Sequence, residues 1–142
     1  MTTLTTLAIT APAEAGKVCG HCHVEKERSE FHTDPTKSDG LYVWCKACKN
    51  TRQNERREVA TAFVCEYLLA HPCLDCGETN ILTLEFDHVM GGKLGHVSEM
   101  AGGGLSVARL AVEIAKCEVV CVDCHTLRTM RRSATWRVAA SE

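Results

Sequence analysis

Aromatic residues are scarce in this chain: three Phe, two Trp and two Tyr make up 5% of its 142 residues. So few large rings cannot fill two good cores unaided, although the hydrophobic content of 45% is ordinary. A charge excess of either sign is also missing. The net charge is −2, from 16 Lys and Arg against 18 Asp and Glu, so the chain as a whole is not a generic polyanion binder. No apolar run reaches the length that spans a bilayer, and no membrane partner is expected. Met1 to Lys17 has neither a basic leader nor a sustained apolar stretch and reads as a poor secretion signal. The expectation that follows is a reducing, cytoplasmic compartment.

Small domains with thin cores need a staple, either disulfides or metal. Ten cysteines and seven histidines offer the second kind. Eight of those cysteines fall into C-x-x-C pairs: Cys19 with Cys22, Cys45 with Cys48, Cys73 with Cys76, and Cys121 with Cys124. Thiols two residues apart on a tight turn can face one tetrahedral ion, whereas a disulfide within such a pair is strained. A thioredoxin-like redox reading explains one pair, not the set. The spacing therefore predicts two structural Zn2+ sites, one from Cys19, Cys22, Cys45 and Cys48 and one from Cys73, Cys76, Cys121 and Cys124.

The expected organisation is a disordered tail over 1–17, a four-cysteine zinc knuckle over 18–50, a linking helix over 51–72, a second zinc-bearing core over 73–133 and a C-terminal tail over 134–142. In the knuckle, Phe31 and part of Leu41 to Trp44 should form the core of a hairpin-like module, with a turn at Ser38-Asp39-Gly40. His21, His23 and His32 read as bystanders, because four thiolates already complete the tetrahedron. Residues 46–70 read as one helix. Its second half repeats Ala60, Phe63, Val64, Tyr67 and Leu68 at helical spacing, its first half is polar, and Pro72 stops it. Cys65 is expected in the core. In the last segment, Leu82, Leu84 and Phe86 alternate toward one buried strand face, which points Asp87 the opposite way to Phe86 and His88. Residues 89–104 read as loop, 105–115 as helix, 118–121 as strand and 122–132 as a final helix. Cys117 is expected to pack inward. Two basic stretches, Lys46 to Arg57 and Arg128 to Arg137, each follow a C-x-x-C pair and together suggest phosphate contacts.

Asp87-His88, a long gap, and then Cys121-Val122-Asp123-Cys124-His125 on a helix resembles the HNH endonucleases, in the compact zinc-bearing form common in tailed phages. The run Glu113 to Thr129 is especially close to that group. The first module, with Phe31, Asp39-Gly40 and Cys45-Lys46-Ala47-Cys48, resembles the knuckle found in relatives of phage recombination endonuclease VII. The resemblance covers about residues 19–132. It implies a small zinc-stabilised α+β fold, with a ββα-metal core and an N-terminal zinc knuckle joined by a long helix. It further implies hydrolysis of DNA phosphodiester bonds to 5′-phosphate and 3′-hydroxyl ends. His88 would be the general base, and Asp87 and His125 would hold a catalytic Mg2+ or Mn2+. The implied partner is DNA, held mainly by its backbone, and by analogy alone the phage terminase; the implied compartment is the host cytoplasm.

One departure stands out. With no asparagine after Asn80, the middle letter of the family motif is absent, and Asp123 stands where relatives carry Asn. An aspartate can accept such an asparagine's hydrogen bonds but not donate them. Plainer readings compete at each position. Asp87 can be a strand-end turn residue, His88 a satisfied core-edge histidine, and His125 a zinc ligand in place of a cysteine. His96 reads as an exposed loop residue, His71 as a helix-end residue, and Trp44 and Trp136 as packing rather than base-stacking groups. At the level of the whole protein the alternatives are a non-catalytic zinc module that binds nucleic acid, and a redox or metal-storage protein.

Overall fold

A computed structural model describes residues 15–133 and residue 140. Most of the tail expected over 1–17 lies outside these residues, as do Trp136, Arg137 and, residue 140 apart, the tail expected over 134–142. The fold is small and mixed α+β, and it divides into two units, Met1–Arg52 and Gln53–Glu142.

In the first unit, β1 (Lys17–Val18) pairs antiparallel with β2 (Glu25–Lys26), and β3 (Phe31–Thr33) with β4 (Leu41–Cys45). Strands this short cannot build a sheet core. Phe31 and Leu41 instead pack on Cys19 and Cys45, with Trp44 and Cys48 at the margin. Gly40, at φ 71°, closes the turn into β4, a conformation only glycine adopts without strain. Asp39 fixes that turn by accepting from the Leu41 N–H at 3.1 Å and from Lys17 Nζ at 2.6 Å.

Helix α1 (Lys46–Ala70) begins directly after β4 and runs into the second unit. Its polar first half buries nothing, whereas Ala60, Val64 and Leu68, four residues apart, form one buried stripe flanked by Phe63 and Tyr67. Cys65 is exposed, contrary to expectation. It follows Val64 by one residue, about 100° round the helix, and so leaves the stripe.

In the second unit, β5 (Leu84–His88) and β6 (Cys117–Cys121) form an antiparallel pair in register from Leu84↔Cys121 to His88↔Cys117. Between them lie α2 (Val97–Gly102) and α3 (Val107–Ile114), and α4 (Val122–Arg132) follows β6 without a loop. Two expectations fail here. Leu82 is 89% exposed, because the chain turns over Asn80–Thr83, with Asn80 Oδ1 accepting from the Leu82 N–H at 3.1 Å, and the strand starts only at Leu84. The stretch read as loop contains α2, whose Val97 and Ala101 bury one helical turn apart; Gly103 and Gly104 end it, the latter at φ 72°. The core gathers Ala60, Val64, Leu68, Leu84, Val97, Leu110, Ile114 and Val120. Leu110 is fully buried at its centre. Leu110→Ala should cost about 2–5 kcal/mol, read as a lowered midpoint in chemical denaturation. No helix among the described residues is long and apolar enough to cross a membrane.

Candidate functional site

Each C-x-x-C pair sits where a strand end or tight turn brings its two sulfurs round to one side. Cys45 ends β4 and Cys48 lies in the first turn of α1; Cys121 ends β6 and Cys124 lies in the first turn of α4. The result is two quartets, Cys19–Cys22–Cys45–Cys48 and Cys73–Cys76–Cys121–Cys124, with all four sulfurs of each within 4.8 Å of one another. Ligands ~2.3 Å from a tetrahedral zinc lie about 3.8 Å apart, so both quartets fit the ion. The Cys76 and Cys121 sulfurs, at 3.7 Å, already match that edge. One sulfur of each set is prepared as a thiolate. Burial pushes the Cys19 thiol up, but backbone N–H groups of Cys22, Cys45 and His21 bring it down to about 5. Cys73 falls in the same way to about 6, through the N–H groups of Cys76, Cys121 and Asp75. These amides would remain as sulfur partners once an ion held all four thiolates. His21, His23 and His32 are exposed and outside the quartet.

The alternation of β5 separates the three residues singled out in the sequence. Asp87 and Glu85 face α4, while His88, with Phe86 and Leu84, faces the other way. Asp87 is 2% exposed. Its carboxylate accepts from Arg132 at 2.8 and 2.7 Å and from Arg128 Nη1 at 3.1 Å, and His125 Nε2 lies 3.6 Å from Oδ1. The Arg132 hydrogen bonds, aided by Arg128, hold the Asp87 carboxyl at about 2 despite its burial. Arg128 also binds Asp75 at 2.7 and 2.6 Å and Glu118 at 2.6 Å, tying the Cys73–Cys76 turn to both strands. Arg128 and Arg132 of the second basic stretch are thus paired with carboxylates of the fold, Arg128 largely covered and Arg132 half exposed. His125 Nδ1 meets Glu85 Oε2 at 2.7 Å. A carboxylate only accepts, so Nδ1 carries the hydrogen and the Nε2 lone pair of a neutral ring is aimed toward Asp87.

His88 has a different neighbourhood. Its Nε2 lies 2.8 Å from Oε1 of Glu113, a fully buried residue in the last turn of α3. The same oxygen accepts from the Leu94 N–H at 2.9 Å, and Oε2 accepts from Lys116 Nζ at 2.8 Å. Lys116 first, then the Leu94 amide and His88, hold the Glu113 carboxyl at about 2 against its burial. Asp123, the residue weighed for the missing asparagine, is exposed in the first turn of α4 and has no hydrogen-bond partner among the described residues.

No protein-family model, curated protein or solved structure matches this chain. The site is therefore read from its own geometry. Asp87 and His125 meet across the seam between β5 and α4; His88 occupies the other face of the same strand end. A cavity of about 390 Å³ near the seam is lined by Glu85, His96 and His125 among apolar residues including Leu84, Phe86 and Val97, and neither Asp87 nor His88 lines it. His96 is exposed but borders this cavity; His71 stacks on Tyr67 at 3.9 Å at the end of α1. Cys117 packs against the core, and burial pushes its thiol up to about 11. In the first unit, Lys49 lies 4.8 Å from the Tyr42 ring and Arg52 4.9 Å from the Trp44 ring, which His21 also touches. Glu85 and Glu113 are the site residues that sequence reasoning missed. Glu85 carries a weak signal, two residues before Asp87 and hence on the same strand face. Glu113, 25 residues from His88, carries none without the fold.

Proposed function

We propose that the chain is a metal-dependent DNA endonuclease built on an HNH-type ββα core, β5–β6–α4, with a structural zinc site in each unit. The observation that carries the reading is the pairing of Asp87 Oδ1 with His125 Nε2 at 3.6 Å, with Glu85 holding the far side of the imidazole. A carboxylate and a neutral imidazole nitrogen facing each other at this separation suit one divalent cation between them. Such a cation, Mg2+ or Mn2+, would neutralise phosphate charge and stabilise the leaving oxygen. Arg132, half exposed, occupies that carboxylate and would have to turn toward solvent, where a phosphate could meet it, for the cation to bind.

The opposed directions of Asp87 and His88 agree with in-line displacement. The attacking water and the leaving oxygen lie on opposite sides of phosphorus, so base and cation flank the phosphate rather than touch. Asp87 and His88 are the last two residues of β5, on opposite faces of the strand end. His88 would deprotonate the water. Lys49, Arg52, Arg56 and Arg57 on α1 would hold the DNA backbone, which favours low sequence specificity. Genome packaging beside a terminase remains an analogy from the resemblance alone.

A second reading, a non-catalytic zinc module that binds nucleic acid, draws on Asp87 being already neutralised by Arg128 and Arg132. A plasmid nicking assay separates the two. The catalytic reading expects supercoiled DNA to become nicked with Mg2+ or Mn2+ and to stay intact in EDTA. DNA binding without cutting under any divalent ion tested would leave the binding module as the answer.

A further inference from the structure

Glu113 is a charged side chain with no solvent exposure, and the zinc sites and the cation site do not use it. A buried carboxylate is costly unless fully bonded. Here two of its three partners are His88 and the loop that follows it, and the third, Lys116, is itself bonded to that loop. Oε1 takes the His88 Nε2–H and the Leu94 N–H; Oε2 takes Lys116, whose ammonium also donates to the Gly92 carbonyl at 2.9 Å. The Lys116 carbonyl accepts from the Val89 and Met90 N–H groups at 3.1 and 3.2 Å. The end of β5 and the loop 89–94 are thus clamped to the end of α3 around one carboxylate.

We propose that Glu113 is the positioning residue for the general base. This rests on the nuclease reading of His88. Because an ionised carboxylate only accepts, neutral His88 must carry its hydrogen on Nε2. That leaves Nδ1, which has no hydrogen-bond partner among the described residues, as the nitrogen that takes the proton from water. The ring is 11% exposed at its side chain, so it cannot turn freely to exchange the two nitrogens. Glu113 therefore fixes both the orientation and the tautomer. Asp123, on a different element and exposed, does neither.

The test combines long-range 1H–15N NMR of the His88 ring with nicking kinetics on the full chain. The wild type should show the Nε2–H tautomer; a wild-type His88 protonated at Nδ1 overturns the inference without reference to any variant. In Glu113→Gln the amide can present its NH2 to the ring and its oxygen to Lys116. The expected result is a shift toward the Nδ1–H tautomer and a fall in kcat of at least ~100-fold with KM changed less than about threefold. Unchanged kcat in this variant, in a preparation with full zinc content, removes Glu113 from the mechanism and leaves the nuclease reading standing. A wild type that does not cut removes the nuclease reading and with it the catalytic part of the inference, while the tautomer still reports whether Glu113 holds the ring.

Discussion

Cys121→Ser should unfold the second unit while leaving the first intact. Cys121 is 6% exposed, ends β6, and accepts from the Cys124 N–H at 3.5 Å as the N-cap of α4. Its sulfur therefore joins strand, helix and the distant Cys73–Cys76 turn at one point. Among the described residues the core beneath holds no fully buried aromatic ring; Phe63, Tyr67 and Phe86 pack only at its edge. Apolar burial alone is thin support for such a unit, and a structural zinc supplies apparent folding energy of about 10–16 kcal/mol near neutral pH. Loss of one thiolate forfeits most of this. Metal analysis should give about two zinc ions per wild-type chain and about one in the variant. Circular dichroism should show a large loss of helix, since α2, α3 and α4 all depend on this unit. Two zinc ions retained, or a melting temperature within a few degrees of wild type, would show that the quartet does not support the fold.

For His88→Ala the effect should fall on chemistry instead. Positioned general bases contribute roughly 10²- to 10⁴-fold, and nicking should drop by that amount. Removing the imidazole leaves Glu113 bonded to Leu94 and Lys116 but short of one donor, a cost of about 1–3 kcal/mol. Zinc content and DNA affinity should be kept, because His88 touches neither quartet nor the basic face of α1. Gel-shift titration and zinc analysis run beside the nicking assay make the distinction. Residual cutting equal to wild type would move the base elsewhere and favour a His88 that serves only the core edge.

The two experiments bear on different layers of the molecule. The cysteine quartets, which could each hold a zinc ion, are a property of the donor set and its spacing, and they stand whether or not the chain cuts DNA. The seam is a finer matter. Arg128 and Arg132, which in sequence continue a basic run, turn inward because Asp75, Asp87 and Glu118 would otherwise crowd like charges on one side of the hairpin. Asp87 and Glu118 are directly opposed across the strands, and Arg128 bridges them. A cation at Asp87 thus enters a network of three carboxylates and two guanidiniums in which Asp87 already has partners, which is why metal dependence is the decisive observation for the function.

By itself the sequence determined the features whose rules are local. C-x-x-C spacing selected the eight cysteines of the two quartets, because a two-residue gap brings two sulfurs to one side. The 3.6-residue period selected the buried stripe of α1, and strand alternation set Asp87 and His88 on opposite faces. Tertiary structure decided what those faces meet. Glu113 reaches His88, Glu85 reaches His125 and the arginines reach Asp87 over separations of 25 to 45 residues, for which no local spacing rule exists. Leu82 and Cys65 left the core for the same reason: their neighbours' burial depended on where the strand began and which helix face the core selected. The direction of a side chain is written in the backbone period, but its partner is chosen by the packing of distant segments.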